Sequence, residues 1–185
     1  MRIAAGQFKG KKLSAGSDLS IRPITNRLKE IIFSVLSDFF YDKMVLDLFS
    51  GSGSLGLESL SRGAGQVTFV EKEDSSLKIL KNNINTLGVD SDLIQIFKSD
   101  VLNFVNENNN KYNLILSDPP FKYSSLQQMI NQIFIRDIIE DNGLLVVHHE
   151  IDNPLGTEDV PYLLLKQKKN GRSLLSFIVK EAADV

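Results

Sequence analysis

The sequence of 185 residues contains no cysteine. Disulfides are therefore excluded, and so is any metal site built on thiolates. The sequence also lacks an apolar run near the length of a membrane-spanning helix, and its first residues lack the apolar block of a signal peptide. Hydrophobic residues make up 42% and charged residues 24%, which is typical of globular chains. We therefore expect a cytoplasmic protein with no membrane association.

Internal repeats and a clear linker are also missing, so we expect residues 1–185 to form one domain. Residues 1–40 form an N-terminal extension in this interpretation, because a module of about 40 residues would be too small to fold alone. Residues 41–185 form the core of the domain.

The sequence also lacks a strong excess of positive or negative charge, with a net charge of −2. The charges are nevertheless segregated along the chain. Residues 1–30 and 161–180 each carry a net charge of +5, and residues 31–160 carry −10. This distribution predicts basic patches at both ends of the chain. The alternative is that these basic residues are ordinary solvated surface.

A glycine-rich turn follows a short apolar run at residues 44–56. The run is rich in strand formers, residues 51–56 fit the pattern G-x-G-x-x-G, and a helical pattern comes next. This succession opens a nucleotide-binding α/β unit, because glycine lets the backbone approach a ligand and a helix N-terminus offers unpaired N–H groups. Glu71 ends the next strand, residues 67–71, where it can accept both hydroxyls of a ribose.

Asp47 bears on which ligand the turn holds. It lies at the end of the first strand, four residues before Gly51. A carboxylate is a poor neighbour for the pyrophosphate of a dinucleotide, which G-x-G-x-x-G also fits. It suits a ligand with an ammonium group and no phosphate, such as S-adenosylmethionine. Alternatively, Asp47 only braces the turn by accepting backbone N–H bonds.

A second apolar strand runs into Asp118-Pro119-Pro120-Phe121. The two prolines stop the strand and fix a stiff loop in which two positions lack N–H donors. The Asp118 side chain and the nearby carbonyls are acceptors that could orient the exocyclic amine of a nucleobase, and Phe121 could stack on its ring. Alternatively, the strand simply ends in a proline turn with Phe121 in the core.

Several segments together resemble the RsmD-type 16S rRNA guanine-N2 methyltransferases. Similar segments are residues 47–58, residues 61–64 and the tetrapeptide 118–121. Arg2-Ile3, Gly6, Lys9-Gly10 and Leu13 match the family's opening hairpin, and residues 22–27 match its segment Arg-Pro-Thr-Thr-Asp-Arg, with Asn26 in place of Asp. Residues 166–171 resemble its basic turn before the last strand. The match covers nearly the whole chain.

This resemblance implies a fold, a reaction and partners. The fold is a Rossmann-like, doubly wound α/β domain with a mostly parallel seven-stranded sheet and an N-terminal extension of hairpin and helix. The reaction is methyl transfer from S-adenosylmethionine, without a metal, to the N2 of one guanine in 16S rRNA. We expect the substrate to be an assembled small ribosomal subunit or its precursor, and the protein to be a monomer.

The resemblance also assigns roles to residues. The catalytic set is Asp118, Pro119, Pro120 and Phe121. The cofactor-binding set is Asp47, Phe49, Gly51, Gly53, Glu71, Asp100 and Val101, in which Asp100 takes the adenine amine unless it only caps the helix beginning at Val101. The basic charge at the two ends of the chain, rather than the resemblance, predicts the RNA-binding set: Arg2, Lys9, Lys11, Lys12, Arg22, Arg27, Lys168, Lys169 and Arg172. Residues 1–40 would cover the site. Lys29 is also expected to be available to phosphate or ligand.

The remaining pattern predicts the other elements. A helix capped by Thr25 or Asn26 buries one apolar face, and another begins near residue 74 and ends at Gly88. Further strands cover residues 93–97 and 143–147, with a closing antiparallel pair at 162–166 and 173–179. His148 and His149 do not predict a metal site, because successive strand residues point to opposite faces.

Two rival functions remain open at this stage. The same tetrapeptide serves adenine-N6 methyltransferases that act on DNA, although 185 residues leave little room for a DNA-recognition domain. The chain could also be a nucleotide- or RNA-binding protein of Rossmann type without catalysis. Such a protein would bind the ligand and transfer no methyl group.

Overall fold

The computed structural model describes residues 1–15, 24–37, 39–156 and 160–180. Its strands are β1 (Met44–Leu48), β2 (Gln66–Glu71), β3 (Ile94–Lys98), β4 (Tyr112–Ser117), β5 (Ile139–Glu150), β6 (Tyr162–Asn170) and β7 (Ser173–Lys180). They form one seven-stranded sheet in the order β3-β2-β1-β4-β5-β7-β6. The first five strands in that order are parallel, and β7 is antiparallel to both β5 and β6. The predicted mostly parallel sheet is confirmed.

The described part of the chain contains five α-helices. They are α1 (Asn26–Leu36), α2 (Ser54–Ser61), α3 (Asp74–Leu87), α4 (Val101–Glu107) and α5 (Leu126–Ile135). Thr25 is the N-cap of α1, and its hydroxyl accepts a hydrogen bond from the Leu28 N–H at 3.3 Å. Gly88 ends α3 in the left-handed region, at φ 66°, which favours glycine. No helix in the described part of the chain is long and apolar enough to cross a membrane.

Helices cover both faces of the sheet, as in a doubly wound fold. Alternate residues of β1 enter two different apolar clusters: Val45 belongs to one and Leu46 to the other. The first cluster contains buried side chains of α1, α2 and α3, and the second contains those of α4 and α5. The parallel strands are therefore buried on both sides, which explains their nearly continuous apolar sequences.

The last three strands are longer than predicted. β5 begins at Ile139 rather than 143 and continues to Glu150, so both histidines belong to this strand. β6 continues from 166 to Asn170, where a tight turn leads into β7. Neighbouring strands extend the pairing beyond the apolar positions that the sequence pattern detects, because ladder hydrogen bonds do not depend on side-chain type.

The N-terminal segment forms a short antiparallel loop rather than a regular hairpin. Arg2 and Lys12 make one isolated bridge, and the Ile3 N–H donates to the Lys11 carbonyl at 3.0 Å. Ile3 and Leu13 are buried in the first apolar cluster. The chain thus reverses direction as the predicted hairpin requires. The buried side chains of Ile3 and Leu13, rather than a long ladder of hydrogen bonds, attach it to the core.

Glu58 of α2 fixes this segment to the core. Its buried carboxylate accepts hydrogen bonds from the backbone N–H groups of Ala4 at 2.8 Å and Ala5 at 3.1 Å. It also forms ion pairs with Lys29 at 3.3 Å and Arg62 at 3.0 Å. These bonds satisfy a carboxylate that would otherwise be costly to bury.

The prediction that Lys29 is available to phosphate or ligand is wrong. Lys29 lies on the buried side of α1 and is 2% exposed, with its ammonium group against Glu58. Burial lowers the pKa of Lys29, and the negative charge of Glu58 opposes that shift. Helical periodicity placed Lys29 beside Leu28 on a boundary of the apolar face, and only the packing of α1 on α2 shows which way it turns.

Candidate active site

The carboxyl ends of the central strands meet at one edge of the sheet. Leu48 of β1 lies opposite Ser117 of β4 on one side and Val70 of β2 on the other. The residues that follow these positions are Phe49, Asp118 and Glu71. Ligands of open α/β sheets bind at this edge, near the point where the strand order reverses.

A cavity of about 660 Å³ opens at this edge. Its lining includes most of the predicted catalytic and cofactor-binding residues, namely Phe49, Gly51, Glu71, Asp100, Val101, Asp118, Pro119, Pro120 and Phe121. Of the predicted sets, Asp47 and Gly53 do not border it. A volume of this size is ordinary for a small-molecule site.

The glycine turn (residues 49–56) owes its shape to left-handed backbone. Phe49, Gly51 and Gly53 have φ values of 57°, 53° and 79°. A Cβ on Gly53 would lie 2.3 Å from the Leu80 side chain, so this glycine allows α2 and α3 to pack closely. Gly53 is not among the residues that line the cavity, and its predicted contact with the cofactor stays a prediction.

Asp47 braces the glycine turn. It is 1% exposed, and its Oδ2 accepts a hydrogen bond from the Gly56 N–H at 2.9 Å. Burial raises the pKa of Asp47 to about 7; that hydrogen bond lowers it, and the charges of Asp118 and Glu71 raise it further. The structure thus has the bracing arrangement, and Asp47 borders only a smaller recess of about 70 Å³ beside the cavity.

Glu71 organises the end of β2. Its Oε2 accepts a hydrogen bond from the Gly51 N–H at 2.8 Å, and its Oε1 accepts bonds from the N–H groups of Lys72 and Glu73, each at 2.8 Å. The carboxylate therefore links the glycine turn to the next strand while it borders the cavity. Both lone pairs of Oε1 are used by these bonds, whereas Oε2 keeps one lone pair that could accept from a ligand hydroxyl.

Asp100 is both the N-cap of α4 and a residue of the cavity wall. Its Oδ1 accepts a hydrogen bond from the Leu102 N–H at 2.9 Å, which makes it the N-cap of α4. It also lines the cavity together with Val101. A cap at a strand end necessarily faces the ligand edge, so the two interpretations are compatible.

Tyr123 is a wall residue that the sequence did not single out. Its ring meets that of Phe49 edge to face, with centroids 4.9 Å apart, and its N–H donates to the Pro120 carbonyl at 2.8 Å. Burial raises the pKa of Tyr123, and the nearby charge of Asp100 raises it further. The hydroxyl therefore stays protonated and can donate a hydrogen bond. It has no hydrogen-bond partner among the described residues.

The proline loop (residues 118–121) carries an acidic side chain that remains partly accessible. The Asp118 side chain is 20% exposed, and its Oδ1 lies 2.6 Å from Nδ1 of His148 on β5. The ring of Phe121 meets that of His148 edge to face, with centroids 5.6 Å apart. The loop thus offers one carboxylate and one aromatic ring at the cavity wall.

Sequence reasoning missed His148 as a member of the site. The alternation used to reject a metal site already places the two histidines on opposite faces of β5. The missing information was the register: Ser117 of β4 pairs with Val147 of β5, so the next residues, Asp118 and His148, are neighbours. Among the described residues, no group of three potential ligand residues is arranged to hold a metal ion.

The match to a family model decides the family. A model described as Conserved hypothetical protein 95 matches residues 1–179. The chain belongs to this family. The family that the motifs suggested is thereby confirmed, since relatives in it carry the name expected from the resemblance.

Two relatives and one solved structure document the similarity of this family member. Ribosomal RNA small subunit methyltransferase D of Haemophilus influenzae is 35% identical and aligns over 92% of this chain and 89% of its own. The protein of the same name from Escherichia coli K12 is 31% identical over 98% and 91%. The solved structure of yhhF from Escherichia coli has a TM-score of 0.88 and 31% identity, covering 99% of each chain. The Rossmann-like methyltransferase fold is confirmed.

Each of the two chain segments that carry the predicted RNA-binding residues also contributes residues to the cavity wall. Thr25 at the start of α1 and Arg172 after the β6–β7 turn both line it. Arg172 also forms an exposed ion pair with Asp152 at 2.7 Å. The other predicted RNA-binding residues that the structure describes are exposed and do not border the cavity: Arg2, Lys9, Lys11, Lys12, Arg27, Lys168 and Lys169. Arg22 lies outside the described residues.

Proposed function

We propose that this protein transfers a methyl group from S-adenosylmethionine to the exocyclic N2 of one guanine in 16S rRNA. The observation that carries the proposal is the position of Asp118, which borders the same cavity as the glycine turn and Glu71. The names of the relatives supply the substrate class, because they act on small-subunit ribosomal RNA. The carboxylate, the backbone carbonyls and the aromatic ring of the tetrapeptide 118–121 suit a reaction at an exocyclic base amine.

The charges of the cavity suit this cofactor better than a dinucleotide. Among the residues that the structure describes, five carboxylates line the cavity, on Glu71, Glu73, Asp100, Asp118 and Glu150, against two cations, on Lys72 and Arg172. An acidic wall favours a ligand that carries a sulfonium and an ammonium group, and it disfavours a pyrophosphate. We assign the ribose hydroxyls to Glu71 and the adenine amine to Asp100, with Val101, Phe49 and Gly51 completing the contacts.

The reaction needs orientation of a weak nucleophile. The Asp118 carboxylate and the Pro119 carbonyl accept the two hydrogens of the base amine, and Phe121 stacks on the base. The cofactor supplies, when bound, a methyl group on a positively charged sulfur that leaves as a neutral thioether. As the amine nitrogen takes up the methyl group through its lone pair, the Asp118 carboxylate would accept the proton that this nitrogen releases. Fixed acceptors thus stabilise the charge that develops on the nitrogen.

The RNA would lie on the basic surface around the cavity. We assign the predicted RNA-binding cations, which exclude the buried Lys29, to phosphate contacts, which fix the position of a nucleic acid without reading its sequence. Residues 1–40 would then serve as a cover over the base, within one domain that acts as a monomer. The presence of Arg172 at the mouth of the cavity supports this arrangement.

The test is methyl incorporation from labelled S-adenosylmethionine. The protein is offered naked 16S rRNA, assembled small subunits that lack the modification, and duplex DNA. We expect label in rRNA or subunits, recovered as N2-methylguanosine. Label in DNA as N6-methyladenine would instead identify a DNA enzyme. Cofactor binding by calorimetry without any incorporation would identify a binding protein without catalysis.

A further inference from the structure

The contact between His148 and Asp118 has a defined direction. Nδ1 of the imidazole and Oδ1 of the carboxylate are 2.6 Å apart. Two unprotonated atoms at that distance would oppose their lone pairs, so a proton must lie between them. A carboxylate is an acceptor when ionised, and His148 is therefore the donor through Nδ1–H. The other ring nitrogen, Nε2, is buried and has no hydrogen-bond partner among the described residues.

This contact follows from the sheet itself. β4 and β5 are parallel, and their last paired residues before the cavity are Ser117 and Val147. The neighbouring residue His149 turns to the opposite face, where its Nε2 lies 2.8 Å from the Ser176 hydroxyl and its Nδ1 lies 2.9 Å from the Asn153 carbonyl. Of the two adjacent histidines, one thus reaches the proline loop and the other ties β5 to β7.

We propose that His148 is a positioning residue for the methyl transfer. It holds Oδ1 of Asp118, which fixes the plane of the carboxylate and leaves Oδ2 to accept a hydrogen from the base amine. The edge of its ring also abuts Phe121, so the same imidazole sets both the acceptor and the stacking ring. This inference rests on the proposed function for its consequence, but the hydrogen bond can be tested without any activity.

Nitrogen NMR of the two imidazoles tests the hydrogen bond directly. The sequence has only two histidines, so His149→Asn assigns the remaining signals to His148. In the wild type we expect His148 to carry a proton on Nδ1. In Asp118→Ala this preference for Nδ1 should be lost while the backbone amide spectrum stays folded. A wild-type His148 with its proton on Nε2 would overturn the proposal.

Kinetics of a rescue series test the role. Asparagine places an amide N–H near the position of Nδ1, whereas phenylalanine has a ring and no donor. We expect His148→Phe to lower kcat by about 10- to 100-fold, the scale of a slightly misplaced reacting group, with little change in the Kd for S-adenosylmethionine. His148→Asn should recover most of that loss. Equal activity of the Phe and Asn variants would contradict a donor role.

His149 provides the matched control. His149→Phe removes a histidine of equal burial from the same strand, so it should affect stability but leave kcat per folded molecule unchanged. A similar loss of kcat in this variant would show that any change in β5 disturbs the site, which would also overturn the proposal. If the wild type methylates none of the substrates, the proposed function fails while the NMR result still decides whether His148 holds Asp118.

Discussion

The two halves of the sheet edge both carry carboxylate side chains, but different groups donate hydrogen bonds to them. In the glycine-turn half, which contains Asp47 and Glu71, backbone N–H groups donate to both carboxylate oxygens of Glu71 and to one of Asp47. In the proline-loop half, which contains Asp118 and His148, a side chain holds one oxygen. Asp47 is 1% exposed, whereas the Asp118 side chain is 20% exposed. The first half is thus a scaffold that shapes a binding site, and the second presents an acceptor to a substrate.

The largest expected effect comes from removing that acceptor. Asp118→Ala should lower kcat by about 10²- to 10³-fold, as loss of a preorganised group at the reacting centre does elsewhere. Cofactor affinity should stay close to that of the wild type, because Asp118 acts on the base amine. Calorimetry and single-turnover methyl transfer measure the two quantities. A variant that transfers methyl at the wild-type rate would remove Asp118 from the mechanism.

The next effect concerns the scaffold and its pH dependence. The pKa of Asp47 is raised from 3.8 to about 7 in the folded protein, so between these values the folded state binds more protons than the unfolded state. Its contribution to stability is therefore present below pH 4 and is lost as the pH rises towards 7, by up to about 1.4 kcal/mol per pH unit.

Asp47→Asn isolates this contribution, because its amide oxygen can still accept from Gly56 while its charge is gone. Denaturant unfolding of both proteins from pH 4 to 8 gives the comparison. The free energy of unfolding of the wild type, relative to the variant, should fall as the pH rises. A difference that rises with pH, or stays constant, would show that Asp47 does not titrate in this range.

Replacement of Glu71 should have a smaller effect, which lowers both the affinity for the cofactor and the stability of the fold. Glu71→Ala removes an acceptor for three backbone N–H groups and for the proposed ribose hydroxyls. We expect the cofactor to bind more weakly by about 1–3 kcal/mol, and the Tm to fall as well. Calorimetry and thermal unfolding provide both numbers. Full cofactor affinity in Glu71→Ala would restrict Glu71 to the scaffold.

The smallest effect is expected from the basic ends. Reversal of Lys11 and Lys12 to Glu should weaken RNA binding and lower its salt slope by about two, since each phosphate contact contributes about one. Reversal of Lys168 and Lys169 should do the same if both ends share one surface. Salt titrations of rRNA or subunit binding test each pair. A normal slope for the second pair would leave only the N-terminal residues in the RNA surface.

The parts of this molecule that depend on local pattern could be predicted from sequence. Apolar strands, the cap at Thr25 and the stop at Gly88 follow from residue type and spacing, because neighbouring residues decide them. The cavity residues Gly51, Asp118 and Phe121 could also be predicted, because the ends of parallel strands share one edge.

Other features depend on contacts between distant segments. The burial of Lys29 follows from the packing of α1 on Glu58, and the site position of His148 follows from the register of β4 and β5. The close packing of Gly53 against Leu80 of α3 is a third feature of this kind. No spacing within a single segment contains this information.

Nucleoside analysis of methylated RNA tests the central claim most directly. Small subunits that lack the modification are incubated with S-adenosylmethionine and either the wild type or Asp118→Ala, and the 16S rRNA is digested and analysed by mass spectrometry. We predict N2-methylguanosine at one position with the wild type, and with the variant an initial rate of its formation that is about 10²- to 10³-fold lower. Cofactor binding without any methylated guanosine, or equal initial rates with both proteins, would contradict the account.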